Sequence, residues 1–204
     1  MGATRLETVN RVREVAEQPA RGVLASFRHR IAKAQEREEH STMSSATSTI
    51  LVWLFVINLG IAFGAGLYEH RVALSKWISY SPESGAHWNA EAVRQDDTGR
   101  RFWAFVTTVP LTMLTLANLF AAWRAHGVVR GWWLAAAFTA LADRLFTFSY
   151  FIPTMVRLMR MTDSPESVAI ATRWSNLNYV RHSIVLVAWL ASLRTFSLFY
   201  QQRL

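Results

Sequence analysis

The chain has 204 residues, of which 51% are hydrophobic and nine are tryptophan, and its formal net charge is +8. This length suits one domain, and the absence of cysteine excludes disulfides, thiolate metal ligands and cysteine nucleophiles. The basic residues lie in tails and between long apolar runs, so nucleic-acid binding is not expected. Nearly all of them are arginine, which is typical of GC-rich bacterial genomes.

The first 42 residues form a separate basic segment with an amphipathic pattern. Apolar side chains recur at helical spacing from Leu6 to Ala16 and again from Val23 to Ile31, with arginines between them. A helix with one apolar face and one basic face suits the surface of an anionic membrane. The alternatives are a solvated tail and a partner-binding helix that attaches the protein to a larger membrane complex.

Residues 43–204 contain four apolar stretches, each about as long as a transmembrane helix, which needs about 20 apolar residues. The stretches are residues 46–67, 102–123, 131–152 and 181–200. The first two carry no charge, the third contains Asp143 and Arg144, and the fourth contains Arg194. The sequence therefore predicts an all-α protein: an integral membrane four-helix bundle behind a cytoplasmic amphipathic segment. A soluble helical bundle is the alternative.

Arginine and lysine counts orient the predicted bundle. The N-terminal segment carries eight and loop 124–130 carries two, against five in residues 68–101 and four in residues 153–181. Because positive residues favour the cytoplasmic side, both termini are expected in the cytoplasm and the protein in the plasma membrane, the inner membrane of a bacterium. Tryptophans at span ends fit an interfacial aromatic belt; they are Trp103, Trp123, Trp132 and Trp133.

Polar residues cluster where spans one and three end and where spans two and four begin. In an antiparallel bundle these positions meet at one end, here the non-cytoplasmic one. Span one ends in 64-GAGLYEHRV-72, and span four opens with 174-WSNLNYVRH-182. Trp174, Asn178 and Arg181 share one helical face. An aromatic ring, an amide and a guanidinium on one stripe suit a flat ligand that bears oxygen, although interfacial anchoring explains them as well.

Three polar residues lie deeper in the predicted spans: Asn58, Asp143 and Arg144. Ionisable residues inside a bilayer are costly and mark functional or tightly paired positions. Asp143 and Arg144 project about 100° apart on a helix, so each is expected to need its own partner, with Asn58 a candidate. A structural contact between helices and a catalytic role are both open.

The first span ending in GAGLYEHRV, the block 146-FTFSYFIPTMVRL-158 and W-x3-N-x2-R in the fourth span resemble the anthrone oxygenase-like family. The resemblance covers roughly residues 50–200. Members are small four-helix integral membrane proteins, and most have no assigned function. The resemblance implies an oxygenase-like enzyme that oxidises a flat, hydrophobic anthrone to an anthraquinone without metal or flavin, so no cofactor is expected.

Anthrone oxidation needs a base, cations for the developing oxyanion and a dry aromatic slot. Glu69 and His70 are the two candidate bases, and Arg181 is the candidate oxyanion partner. The candidate substrate-binding residues are Tyr68, Trp174, Asn178 and His182.

Other functions remain open at this stage. Glu69, His70 and His182 supply enough ligands for a metal site. A non-enzymatic accessory or assembly subunit of a larger membrane complex is the second alternative, with Glu69 paired to Arg181 or Arg101 in a closed cluster. Transport, with a relay through Asp143, is a third. An open pocket would favour a ligand site, and a closed cluster would favour an accessory subunit.

Overall fold

The computed structural model describes residues 46–201, so the amphipathic segment predicted for residues 1–42 lies outside the described residues. The described chain is mostly helical, as predicted, with five helices and a short antiparallel hairpin that the all-α prediction did not include. In chain order the elements are α1 (Ala46–Trp77), β1 (Ile78–Ser81), β2 (Gly85–Trp88), α2 (Ala90–Asp96), α3 (Gly99–Arg124), α4 (residues 127–158) and α5 (Pro165–Gln201).

Three of the described helices are long and apolar enough to cross a membrane, namely α1, α3 and α5. The predicted spans at residues 46–67 and 102–123 lie inside α1 and α3. The predicted span at residues 181–200 is the second half of α5, which begins already at Pro165. The WSNLNYVRH stretch is therefore helical, as its spacing indicates, and continues an earlier helical segment.

The predicted third span, residues 131–152, is also helical but is not one of these three helices. It lies in α4, which consists of the consecutive stretches Gly127–Phe146, Thr147–Phe151 and Ile152–Leu158. Asp143 and Arg144 interrupt its apolar run near the middle. Both side chains are buried within the protein, so its polar face is turned inward.

Helix α4 packs most extensively against α5, and small residues line this contact. Ala136 and Ala140 of α4 and Ala188 of α5 are fully or almost fully buried in one apolar cluster, which also contains Phe55 and Leu59 of α1. Alanines allow two helices to approach closely, and the larger side chains of α1 fill the remaining space.

A polar contact between Asn118 and Trp133 joins α3 to α4. The indole N–H of Trp133 donates to Oδ1 of Asn118 over 2.8 Å, and Nδ2 of Asn118 donates to the carbonyl of Leu114 over 2.8 Å. Trp133 is therefore a buried core residue and not part of the aromatic belt in which the sequence placed it. Trp123 and Trp132 are exposed, as that belt requires.

The hairpin and α2 together form a cap, residues 78–96, that packs on the Leu158 end of α4. Trp88 of the cap is buried in one cluster with Trp77, Leu158 and Trp174. Its indole N–H donates to the carbonyl of Leu158 over 3.0 Å. Tertiary packing therefore supports a hairpin that would be marginal on its own.

Asp163, in the loop between α4 and α5, holds the cap in place. Its carboxylate accepts the backbone N–H of Trp88 over 2.8 Å and contacts Nδ1 of His87 over 2.7 Å. The hydrogen bond from Trp88 and, secondarily, the contact with His87 lower the pKa of the Asp163 carboxyl below its ordinary value. The loop and the hairpin are thus tied together by one ionised side chain.

Three long helices contain a π-helical stretch: Glu69–Ala73 in α1, Gly99–Thr108 in α3 and Thr147–Phe151 in α4. In α3 and α4 a proline, Pro110 or Pro153, follows within two residues of the stretch. Proline has no N–H, and its ring collides with the carbonyl four residues earlier. A wider turn before each proline relieves this collision and keeps the helix continuous.

Asn58 supplies a hydrogen-bond donor to a backbone carbonyl that Pro110 leaves without its α-helical partner. Pro110 has no N–H to bond to the carbonyl of Val106, four residues earlier in the chain. Nδ2 of Asn58 donates to that carbonyl across the α1–α3 contact over 3.0 Å. The partner of Asn58 is therefore the backbone of α3 and neither Asp143 nor Arg144, for which it was a candidate partner.

Candidate functional site

A cavity of about 410 Å³, here called the Glu69 cavity, lies among α1, α3, α4 and α5 beneath the cap. Three carboxylates and three guanidinium groups line it: Glu69, Asp97, Asp143, Arg100, Arg144 and Arg181. The remaining wall is largely apolar, and its tryptophan, phenylalanine and methionine side chains are those of Trp77, Trp103, Phe151, Met155, Met159 and Trp174. The cavity thus has the size of a small-molecule site, with a few polar groups in apolar surroundings.

Glu69 is oriented by two donors from the start of α3. The indole N–H of Trp103 donates to Oε1 of Glu69 over 2.7 Å, and the hydroxyl of Thr98 donates to the same oxygen over 3.0 Å. Glu69 is the first residue of the π-helical stretch of α1. The carboxylate is therefore held in one position at the cavity wall, and its second oxygen has no protein donor among the described residues.

Arg181 lies between two aromatic rings rather than in an ion pair. Its guanidinium carbon is 4.7 Å from the ring centroid of Phe151 and 5.6 Å from that of Trp103. No carboxylate of the described residues lies within ion-pair distance of it, although Glu69 and Asp143 are close enough to interact with its charge. Arg181 therefore presents a cation to the cavity with no direct counter-ion.

Asp143 and Arg144 pair with each other. Nε and Nη2 of Arg144 both donate to Oδ2 of Asp143, and both residues are buried. The prediction that each would need its own partner is therefore wrong, because the long arginine side chain folds back onto its neighbour. Oδ1 of Asp143 has no hydrogen-bond partner among the described residues, so the pair retains an acceptor at the cavity wall.

The two predicted histidines contact each other at the edge of this site. Their ring centroids are 6.3 Å apart, and His70 also packs edge-on against Tyr179 at 4.1 Å. His182 lines the Glu69 cavity, and both histidines line a neighbouring surface cleft, here called the His70 cleft. His182 thus forms part of the partition between the two spaces. Nδ1 of His70 and Nε2 of His182 are buried, and neither has a hydrogen-bond partner within residues 46–201.

The structure turns Glu69 and His70, two of the three residues of the metal alternative, toward different spaces. Glu69 faces the cavity with Trp103, whereas the adjacent His70 faces the cleft with Tyr179. Within residues 46–201, no group of three or more histidine, aspartate or glutamate side chains is placed to hold a metal ion. The two consecutive side chains diverge because they leave the helix in different directions.

The remaining predicted ligand-binding residues differ in their placement. Trp174 lines the Glu69 cavity and donates its indole N–H to the carbonyl of Phe151 over 3.2 Å. Asn178 is buried but does not line the cavity, and its Oδ1 has no partner among the described residues. Tyr68 is 66% exposed and points away from the site. The prediction that Tyr68 walls a ligand slot is therefore wrong.

Sequence reasoning missed Trp103, Thr98 and Phe151 as parts of the site. Trp103 was placed in an aromatic belt, although its N–H is bound to Glu69. One signal was available for Thr98 and Trp103. They lie next to Arg100 and Arg101 in the sequence, at the start of span two, where polar residues were expected to meet at one end of the bundle. Nothing in the local pattern around Phe151 distinguishes it from a core aromatic residue.

Comparisons of the chain with protein-family models, with curated proteins and with solved structures return no match. The function is therefore argued from the geometry of the Glu69 cavity and from the resemblance noted in the sequence.

Proposed function

We propose that this protein is a membrane-embedded, oxygenase-like enzyme of the anthrone oxygenase-like family that acts on a flat, hydrophobic, oxygen-bearing substrate in the Glu69 cavity. The observation that carries the proposal is the open space between Glu69 and Arg181. A base and a cation face the same apolar cavity without neutralising each other in an ion pair. A purely structural cluster would bring the two charges together.

The membrane setting supports a hydrophobic substrate. The proposed arrangement is a four-helix bundle in the plasma membrane of a bacterium, with α1, α3 and α5 as apolar spans and α4 as the fourth. Both termini would lie in the cytoplasm, which places the cap and the Glu69 cavity at the non-cytoplasmic end. A molecule dissolved in the bilayer reaches such a site without crossing water.

In the proposed reaction, Glu69 removes a proton from the carbon that is flanked by aromatic rings and lies opposite the substrate carbonyl. The resulting negative charge spreads to the carbonyl oxygen, where Arg181 stabilises it. The carbanion then reduces dioxygen and forms a carbon–peroxide bond. Loss of water from this adduct leaves a second carbonyl, so one molecule of dioxygen gives one quinone and one water.

Each polar group has a definite part in this scheme. Trp103 and Thr98 fix Oε1 of Glu69, which leaves its other oxygen to take the proton. The rings of Trp103 and Phe151 keep Arg181 in place through their faces. His70 remains the competing base; its position in the His70 cleft favours Glu69 for the proton transfer inside the cavity.

The test uses purified protein in lipid nanodiscs with anthrone as the substrate. Oxygen consumption and quinone absorbance are followed against protein-free nanodiscs, since anthrones oxidise slowly by themselves. We expect Glu69→Gln to lower turnover by about 10²–10⁴-fold, and Arg181→Gln to lower it by about 10²-fold. Glu91→Gln, at an exposed carboxylate of the cap, is the matched control. Full turnover in both cavity variants would refute the proposal.

The accessory-subunit alternative predicts a closed cluster in which Glu69 pairs with Arg181 or Arg101. Neither ion pair occurs among the described residues, where Arg101 instead approaches Asp97 at 4.0 Å. The cavity at this position favours a ligand site over a sealed structural cluster. We therefore propose the enzyme and keep the accessory role as the outcome to expect if no ligand binds.

A further inference from the structure

Helices α3 and α4 pack closely along one half of their length and separate along the other. Val109–Arg124 lies against Gly127–Phe146, where Asn118 and Trp133 join them. Beyond this region, Gly99–Thr108 makes only sparse contact with the α4 residues from Thr147 onward. The two helices therefore diverge toward the end that carries the Glu69 cavity.

Small and aliphatic side chains line the cavity where the helices diverge. Ala104 and Thr108 lie one turn apart on α3, and Ile152 and Val156 lie one turn apart on α4. Ile152 is 40% exposed and Val156 is 43% exposed, so the same residues also reach the outer surface of the protein. The gap between α3 and α4 thus joins the cavity to the face that would contact lipid.

The base and the cation of the proposed reaction come from helices other than the two that form this gap. Glu69 and Arg181 come from α1 and α5, whereas the gap residues of α3 and α4 carry no charge. A ligand that fills both regions therefore needs a flat, oxygen-bearing head and an apolar extension. The cavity of about 410 Å³ is near the lower end for small-molecule sites, so a long chain would extend outside it.

We propose that the gap between α3 and α4 is a lateral portal to the bilayer, and that the ligand is an aromatic ketone, phenol or quinone carrying a hydrocarbon chain. The ring lies between Glu69 and Arg181, and the chain passes between Ala104 and Ile152 into the lipid. This inference rests on the proposed function, because it specifies the substrate class of the same cavity. Entry from the bilayer also lets an apolar substrate avoid the polar surface of the cap.

The test compares two probes with the same ring in lipid nanodiscs. One is 2-methyl-1,4-naphthoquinone without a chain, and the other is the same ring bearing a phytyl chain. Binding is measured by quenching of tryptophan fluorescence, since Trp77, Trp103 and Trp174 line the cavity. Ala104→Phe narrows the portal, and Val109→Phe, at a position on α3 that is 54% exposed and outside the cavity, is the control.

We expect Ala104→Phe to weaken binding of the chain-bearing quinone by about tenfold or more, and to change binding of the chain-free quinone by less than about twofold. Val109→Phe should change neither. Ile152→Phe narrows the portal from the other helix and should show the same selectivity between the two probes. Agreement between the two variants would exclude a folding defect of Ala104→Phe as the cause. If the portal substitutions affect both probes equally, or affect neither, the portal proposal is wrong, although the ring site remains supported. Failure of both probes to bind the unmodified protein would refute the ring site and the portal with it.

Discussion

The imidazole of His182 occupies the space that a side chain at Gly66 would fill. A Cβ atom at this position would collide with Nε2 and Cδ2 of the ring. The collision explains why α1 carries a glycine where it meets α5 beside the Glu69 cavity.

Gly66→Ala should therefore destabilise the protein, although alanine is the better helix former. Overpacking of this kind costs about 1–3 kcal/mol. Gly64→Ala is the matched control, because nothing lies within 4 Å of a Cβ atom at Gly64; it should be neutral or raise the stability by up to about 1 kcal/mol. Thermal unfolding in detergent measures both. Equal effects of the two substitutions would contradict the proposed contact.

Asp143→Asn should be strongly destabilising because it leaves Arg144 buried without a counter-ion. Removing one partner of a buried ion pair costs about 3–5 kcal/mol. The exposed pair between Arg157 and Glu166 provides the control, since Glu166→Gln should cost less than about 1 kcal/mol. Denaturant unfolding would compare the two variants. A similar small loss in both would mean that solvent or lipid compensates Arg144.

Trp103→Phe keeps an aromatic ring beside Arg181 but removes the N–H that binds Glu69. A hydrogen bond to a charged group contributes about 1.5–3 kcal/mol, so stability should fall by about that amount. The same change should lower turnover, because Glu69 becomes free to rotate. Trp53→Phe, at a residue that is 52% exposed, is the control. Unchanged turnover in Trp103→Phe would remove the positioning role assigned to the indole.

The anchor between Asp163 and the cap should weaken in acid. The folded-state pKa of Asp163 lies below its ordinary value of 3.8, so its stabilising effect is present above that value. It is lost as pH falls through the lower, folded-state pKa. Near pH 6, hydrogen exchange at the Trp88 amide should be several-fold faster in Asp163→Asn than in the unmodified protein.

This difference between Asp163→Asn and the unmodified protein should persist down to pH 3.8 and shrink as pH falls further, through the lower folded-state pKa, where Asp163 becomes neutral. Comparing the two proteins at each pH cancels the intrinsic pH dependence of amide exchange. Ser84→Ala removes the other contact of His87 without touching the carboxylate, and it serves as a control. A difference that already disappears above pH 3.8 would contradict the lowered pKa of Asp163.

Hydropathy predicted the positions of the four long helices because each of them contains an apolar run about as long as a transmembrane helix. It failed in the segment between α1 and α3, where a short hairpin is stable only through distant contacts of Trp88 with Leu158 and Asp163. The convergence of Glu69, Trp174, Arg181 and His182 followed from antiparallel helix order, and these four line one cavity.

The finer geometry of the site was not predictable from regular helical spacing. Regular spacing separates Tyr68 and Glu69 by about 100° but does not decide which of them faces the cavity. Glu69, the first residue of a π-helical stretch, lines the cavity, and Tyr68 is exposed. Folding of the Arg144 side chain onto Asp143 depends on a rotamer that spacing does not determine. Both deviations arise from local backbone or side-chain conformations that are selected by the surrounding packing.

The π-helical stretches have a consequence for how this protein tolerates changes in length. Each contributes residues to the Glu69 cavity: Glu69 in α1, Trp103 in α3, and Thr147 and Phe151 in α4. A π turn is an α-helix that accommodates an additional residue. Deleting one residue from Thr147–Phe151 would restore regular winding and rotate Ile152–Leu158 relative to Asp143 and Arg144. Shortening the chain by a single residue at such a position should therefore reshape the cavity while leaving a continuous helix. Most point substitutions, in contrast, do not rotate the part of the helix after the π-helical stretch relative to the part before it.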